Sequence, residues 1–296
     1  MVPVHDVFAA DSEPIVVATG DGLAALARHR LADGLAVVSG LDALWGFACP
    51  ILGQDMDSIG SAVQTRLGDL EWDRLFLPGY PDDLVLARAI GPWFGRFGTL
   101  FAGPGIGRRV ADIGALDQWW GRRSPRFRRN LRRAERAATE RGLRYVDLSG
   151  DLAPSDVAAL IERLVAIEDR SWKGALSDDG EPSGIAAPQM QALYRSMVDR
   201  LAGSGRARAV IAVLDGVDVG YILGGIRRGR YRGLQLSFTT DVGALSIGHL
   251  LQWHEIRHLA ADGLADTYDL GMDMGYKAAW SDRLESSVVL VLERDR

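Results

Sequence analysis

The sequence predicts an α/β chain of mixed sheets, divided into two domains. Three observations predict it. Short apolar runs of strand length alternate with helix-length amphipathic runs from the N-terminus to about Gly114. After an arginine-rich stretch the alternation starts again at Leu143. Between Arg230 and Trp280 the chain reads strand, glycine-bearing turn, helix and short strand, and the rest is organised around this segment. At 296 residues there is length for two cores. The expected division is 1–115, an arginine-rich linking helix over 116–142, and 143–296.

The first domain is read as follows. Residues 14–18 and 35–39 are strands, and Leu23, Leu26, Ala27 and Leu31 between them have helical spacing. Residues 41–52, with Trp45, Phe47 and Cys49 at period two, are a strand, and 57–67 a helix. A strand over 72–77 stops at Pro78-Gly79, a helix over 82–90 ends before Pro92, and the glycines and proline of 101–108 make a loop.

Ser124 then caps a helix whose first position is Pro125 and whose end is Arg141 before Gly142. Phe127, Leu131, Ala134 and Ala138 give it a narrow apolar face. The arginines around that face are either a solvated surface or a basic edge for phosphate. The second domain continues with a strand over 143–148, a helix over 154–171, a polar loop over 178–187 and a helix over 188–202. Strands over 207–214 and 219–227 follow, joined by Asp215-Gly216, and Arg228-Gly229 leads into the organising segment. A strand over 286–293 closes the chain.

Composition narrows the function. A hydrophobic content of 47% and a mean hydropathy near zero fit a soluble globular protein, and no apolar run has membrane-spanning length. Residues 1–11 lack the pattern of a secretory signal. The single Cys49 excludes an internal disulfide framework and a thiolate zinc cluster, and a buried, inert thiol in a reducing cytoplasm is expected. The formal charge of −5 excludes general nucleic-acid binding, although residues 122–144 carry ten arginines against Glu135 and Glu140. Lys173 and Lys277 are the only lysines.

In the organising segment the strand over 231–238 places Tyr231, Gly233, Gln235 and Ser237 on one side and Leu234, Leu236 and Phe238 on the other. Ser246 is the expected N-cap of the helix that begins at Gly248. Such a turn aims several N–H groups and a positive helix end at one spot, an anion site for phosphate or pyrophosphate. Asp269 at the end of the next strand is the carboxylate placed to take a proton from an amine, with capping of its own turn as its structural role. His254-Glu255-Ile256-Arg257-His258 matches the H-E-x-x-H pattern of zinc proteases. Arg257 stands where such helices are uncharged, and no third ligand has a recognised spacing, so no metal is expected.

Several of these pieces recur in one family. Residues 116–296 resemble the GNAT superfamily of N-acyltransferases, in particular the double-GNAT proteins associated with cellulose and exopolysaccharide clusters and the Fem-type aminoacyltransferases. The matching pieces are Ser124-Pro-Arg-Phe-Arg-Arg-Asn-Leu-Arg-Arg ahead of Gly142, Glu168-Asp-Arg-Ser-Trp-Lys-Gly174, Asp241 with Leu245-Ser-Ile-Gly248, and Tyr268-Asp-Leu-Gly271 with Tyr276-Lys277 and Trp280. The resemblance implies two GNAT-like domains, a complete C-terminal one and a degenerate N-terminal one. It implies transfer of an acyl group, acetyl first, from acyl-CoA to an amine-bearing or small-molecule acceptor, in the cytoplasm, without nucleic acid or membrane.

The donor would lie on Phe238, Thr239, Thr240, Ser246, Ile247, Gly248, His249 and Leu250. Trp172, Lys173 and Gln235 would line the acceptor site, and Asp269, Tyr276 and Lys277 would serve the chemistry. One departure stands out. The family's pyrophosphate loop is Arg/Gln-x-x-Gly-x-Gly/Ala, whereas this chain has Gly243-Ala-Leu-Ser-Ile-Gly248. Aminoacyl transfer from tRNA and a non-catalytic role in polysaccharide assembly are the alternatives this leaves.

Overall fold

The computed structural model describes residues 12–41, 49–81, 91–173 and 184–295. The chain forms two compact units, one of residues 1–107 with 285–296, the other of residues 108–284.

The first unit holds β1 (Glu13–Ala18), β2 (Leu23–Arg30), β3 (Ala36–Gly40), β4 (Ile51–Leu52), α1 (Met56–Gly68), β5 (Arg74–Pro81), β6 (Gly98–Pro104) and the last strand, β14 (Ser287–Arg294). Its sheet runs β1-β2-β3-β5-β14-β6, with β4 on β2. Asp55 caps α1 by accepting from the Ser58 N–H, and Ile59, Val63 and Leu67 join Leu26, Leu75 and Leu77 in one core.

Several expectations fail here for identifiable reasons. Residues 23–30 are strand, not helix. β2 pairs antiparallel with β1 from Glu13↔Arg28 to Ala18↔Leu23. It buries Ala24 and Leu26 but leaves Leu23 at 42% exposure, and Leu31 just after its end is 48% exposed. The leucine spacing is helical, yet the neighbouring strand decides. Pro78-Gly79 does not stop β5. Gly79 takes φ 79°, and the register slips between Val288↔Tyr80 and Leu290↔Leu77, so the pair forms a bulge. The first half of the expected loop over 101–108 is β6, an edge strand that tolerates Pro104 at its end, and the loop itself is only 105–107. The closing strand belongs between β5 and β6, so the second unit stops short of the expected 296 and the first ends at 107 rather than 115. The helix expected over 82–90, residues 42–48 of the strand expected over 41–52, and residues 178–183 of the polar loop fall outside the described residues.

The second unit holds β7 (Arg108–Asp112), α2 (Leu116–Arg122), α3 (Pro125–Glu140), β8 (Arg144–Asp147), α4 (Pro154–Glu168), α5 (Pro188–Ala202), β9 (Ala207–Leu214), β10 (Val217–Arg227), β11 (Arg230–Phe238), α6 (Ile247–Asp262), β12 (Thr267–Met272) and β13 (Arg283–Glu285). The sheet order is β13-β7-β12-β11-β10-β9-β8. Two cores cover its faces. One joins α4 and α5 to the sheet through Leu160, Leu164, Tyr194 and Val198, and the other joins α6 through Leu250, Leu251 and Ile256.

The arginine-rich α3 begins as expected, with the Ser124 hydroxyl accepting from the Phe127 N–H at 3.2 Å, and ends before Gly142 at φ 77°. It is not a link between units. Leu131 and Ala138 are buried in the second unit's core, Phe127 meets Trp280 edge-on at 4.8 Å, and Glu135 pairs with Arg257 of α6 at 3.0 Å. Trp119, Trp120, Trp253 and Trp280 stack into the same layer. α2, which the expected linking helix over 116–142 took as one piece with α3, is a separate helix and contributes two of them.

Candidate active site

The sheet of the second unit opens in its middle. β11 and β12 run parallel and pair at Arg230↔Thr267, Tyr231↔Tyr268 and Arg232↔Asp269, then part. Beyond that point β11 stays on β10 as far as Gly220↔Phe238, and β12 stays on β7 as far as Met272↔Arg108. Each half of the sheet keeps its own partner, so a wedge opens between the two arms. A peptide-like chain lying in it would meet unpaired strand edge.

β11 also bulges. Its register moves from Gly224↔Gly233 to Leu223↔Gln235, leaving Leu234 as the extra residue. The strict alternation predicted for 231–238 therefore inverts at Leu234. Tyr231, Leu236 and Phe238 share the α6 core, while Leu234 packs in the α4–α5 core.

The start of α6 faces β11. A 3-10 turn, Thr240–Leu245, leads to Ser246, which takes the left-handed conformation, φ 57° and ψ 37°. Its side chain makes no capping bond, contrary to expectation; its carbonyl instead accepts from the N–H groups of His249 and Leu250. Among the described residues the N–H groups of Ile247 and Gly248 meet no backbone acceptor. They are the donors that a helix start offers an anion. A Cβ at Gly248 would stand 3.0 Å from Phe238 Cε1 and 3.3 Å from Leu236 Cδ2, so glycine is what lets this helix start approach the strand.

The other residues predicted for the donor are engaged elsewhere. The Thr239 N–H donates to Val219, and the Thr240 N–H donates to Arg170. Ile247 and Leu250 bury their side chains in the core. The His249 ring stacks on Trp280 at 5.7 Å, and burial lowers its pKa.

Asp269 is not poised as a base. It is 2% exposed and binds Arg232 Nη1 at 2.7 Å, Arg230 Nη2 at 3.0 Å and Arg108 Nη1 at 3.7 Å, and it accepts the Gly271 N–H at 2.9 Å. Burial pushes its carboxyl pKa up, but Arg232, Gly271 and Arg230 outweigh that and hold it below the usual carboxylate range. A carboxylate so stabilised takes a proton poorly at neutral pH. These three arginines were missed in the sequence, where nothing local ties them to Asp269.

The predicted acceptor residues do come together. Lys173 Nζ donates to Gln235 Oε1 at 2.8 Å and to the Leu236 carbonyl at 2.6 Å, beneath the exposed Trp172. Burial lowers its pKa, with Glu168 opposing. On the other arm, Lys277 Nζ donates to the Met272 carbonyl at 3.1 Å and lies 5.9 Å from the Tyr276 ring. Burial, Arg232 and Lys173 lower its pKa. Burial raises that of Tyr276, so its phenol keeps its proton. Glu168, quoted in the sequence match without a role, is fully buried, accepts from Tyr221 and the Ile185 N–H, and so fastens the turn at Gly184–Ala186 to α4.

The H-E-x-x-H residues serve the fold. Glu255 is buried against Arg208 at 3.2 Å, and Arg208 also binds Asp262 at 2.9 Å. His254 stacks on Tyr145 at 4.0 Å, with its pKa pushed down to about 4 by burial, His258 and Arg257, while His258 contacts Asp147 at 3.2 Å. Among the described residues no group of three or more His, Cys, Asp or Glu is placed to hold a metal. Nor, among them, is any helix long and apolar enough to cross a membrane.

Solved structures share this architecture. The C-terminal domain of a putative lysylphosphatidylglycerol synthetase from Agrobacterium fabrum is 13% identical, with a TM-score of 0.61 over 95% of this chain and 83% of that one. L-PGS from Bacillus licheniformis is 13% identical at 0.59, over 100% and 88%. FemX is 12% identical at 0.57, over 94% and 87%. At such identities the likeness is one of fold, and it spans both units. No curated protein matches the chain by sequence. A family model does, the acetyltransferase (GNAT) domain, over residues 125–278, which is more than half the chain and includes α3, the wedge and the start of α6. The chain therefore belongs to the GNAT acetyltransferase domain family and is an acyltransferase.

Proposed function

We propose that this acyltransferase moves an acyl group, acetyl first among candidates, from acyl-CoA to an amine by direct attack. The observation that carries the reading is the wedge between β11 and β12 opening beside the start of α6, where the N–H groups of Ile247 and Gly248 meet no backbone acceptor among the described residues. The donor's pyrophosphate would take those two donors and the helix dipole. Its amide-bearing arm would run along β11, which brings the thioester into the wedge. The acceptor would approach past Trp172, Lys173 and Gln235.

The amine nitrogen bonds to the thioester carbon, the carbon–sulfur bond breaks, and CoA leaves as a thiolate. Tyr276, still protonated, gives its proton to that sulfur so that CoA ends as the thiol, and is reprotonated from the water that takes up the amine's proton; the Lys277 ammonium offsets the negative charge that develops. The amine's surplus proton leaves to water, because Asp269 is held by arginines. Two backbone donors and a 3-10 turn make a smaller phosphate cradle than the usual family loop, so binding leans on the strand edge. We further propose a cytoplasmic location, where acyl-CoA is made, and no stable partnership with nucleic acid or membrane.

Aminoacyl transfer from tRNA is the second reading, favoured by the exposed arginines of α3 and the FemX-like fold. Calorimetry with CoA and acetyl-CoA tests the first. Saturable one-to-one binding is expected; none at millimolar CoA, with the protein folded, moves the case to the second.

A further inference from the structure

The end strand of an open sheet offers a row of N–H and C=O groups to a second chain, and proteins blunt such edges with charge, proline, bulges or brevity. Among the described residues the two sheet orders end on β1, β6, β8 and β13. Three of these are blunted. β8 has four residues and is charged at both ends, by Arg144 and Asp147, and β13 is only Arg283-Leu-Glu285. β1 contains Pro14 and carries Glu13, which pairs with Arg28 at 2.6 Å. β6 is different. It reads Gly98-Thr-Leu-Phe-Ala-Gly-Pro104, seven residues without a charge. Its pairing with β14 runs from Val288↔Pro104 to Arg294↔Gly98 without a bulge.

The flanking bonds show which backbone groups of β6 turn outward. The Gly105 N–H donates to the Ser287 carbonyl at 2.9 Å, and the Asp295 N–H to the Phe97 carbonyl at 2.8 Å. Alternate residues of an antiparallel ladder bond to the same neighbour, so Thr99, Phe101 and Gly103 turn their backbone to β14. Gly98, Leu100, Ala102 and Pro104 turn theirs outward, and the proline falls where its missing N–H costs no bond to β14. Side chains alternate as well. Leu100 packs on the first unit's core, while Phe101 is 54% exposed on the opposite face. There it continues a row with Val291 and the 38% exposed Phe76, through the pairs Phe76↔Val291 and Val291↔Phe101.

This edge is complementary to itself. A two-fold axis at Phe101 sets β6 antiparallel to β6 of a second copy, with Leu100 opposite Ala102 and Phe101 opposite Phe101. Leu100 and Ala102 then exchange bonds through their outward groups, and the Gly98 N–H meets the Pro104 carbonyl, which needs no N–H in return. The two phenylalanines make a non-hydrogen-bonded pair, the closer side-chain approach in such a ladder. No like charges oppose one another, because β6 carries none.

We propose that the β6 edge is an interface between two copies of this chain, joined by antiparallel β6 strands centred on Phe101. An aromatic side chain buries ~150–250 Å² and a stable interface ~1,200–2,000 Å². One ring and one strand from each copy therefore make a reversible dimer rather than a permanent one. The inference is independent of the acyl-transfer reading.

Sedimentation equilibrium of the full chain tests it. The expected result is a mass that climbs from one chain toward two between micromolar and hundred-micromolar protein. Ala102→Pro removes an outward N–H, and Phe101→Glu sets two carboxylates face to face. Both should stay monomeric with unchanged circular dichroism. Cysteines read the register. In a Cys49→Ser background, Phe101→Cys places two thiols across the axis, where Cα atoms ~4.5 Å apart permit a disulfide. Air oxidation should give a covalent dimer that dithiothreitol reverses. Thr99→Cys sets its two thiols roughly 13 Å apart along the strands and should give none. The proposal is overturned if the wild-type chain stays monomeric throughout, or if a dimer persists in folded Ala102→Pro or Phe101→Glu. It is overturned too if Thr99→Cys cross-links as readily as Phe101→Cys.

Discussion

Asp269→Asn separates an anchor from a base. The substitution keeps the shape and can keep the bond to the Gly271 N–H, but it removes the charge that Arg108, Arg230 and Arg232 share. Removing one partner of a buried ion pair costs about 3–5 kcal/mol. The three guanidiniums are 27–33% exposed and regain some hydration, which lowers the expected loss to about 2–4 kcal/mol. The pH dependence has a definite sign. The folded pKa lies below the unfolded one, so the unfolded chain takes up the proton first on acidification. The advantage of the wild type over the variant is complete above the usual carboxylate range and disappears as pH falls through the folded pKa. Urea unfolding of both proteins at neutral pH and in acid measures it. A loss under about 0.5 kcal/mol at neutral pH, with acyl transfer abolished, would refute the anchor and restore Asp269 as the base.

Further outcomes are expected. Gly248→Asp sets a carboxylate at the helix start and a Cβ 3.0 Å from the Phe238 ring, and should weaken CoA binding by about tenfold or more in calorimetry. Replacing the exposed Arg129, Arg132, Arg133 and Arg136 by Gln should leave CoA affinity within about threefold. No tRNA complex should form at physiological salt, and submicromolar binding lost in that variant would favour the aminoacyl reading. A chelator should leave the melting temperature unchanged, while Glu255→Gln should lower it by removing the buried charge beside Arg208 and leaving Asp262 as that arginine's remaining carboxylate; one zinc per chain, lost in His254→Ala, would reverse the ranking of that motif.

Much of the second unit was legible because its signals are local. Ser124-Pro125 and Gly142 bound α3, Asp215-Gly216 and Arg228-Gly229 mark the hairpins, and the switch from period two to helical spacing finds α6. The acceptor trio of Trp172, Lys173 and Gln235 came from the family resemblance, and the Lys173–Gln235 bond joins two of its members. What failed depends on partners distant in sequence. β2 is a strand because β1 and β3 flank it, and β14 crosses to the first unit because β5 and β6 leave it a slot. The Leu234 bulge shifts faces by one residue, which alternation alone does not reveal. Asp269 was found as a carboxylate at a strand end, but its role is set by arginines from β7 and β11.

Amide hydrogen exchange at Ile247 and Gly248, with and without acetyl-CoA, tests the central claim most directly. These two N–H groups are exposed to exchange if nothing accepts from them, and the bound pyrophosphate would engage both. The account predicts slowed exchange there and along the wedge-facing edge of β11 from Gly233 to Phe238, with α1 unchanged. Folded protein at saturating acetyl-CoA with no slowing at the start of α6 would contradict it.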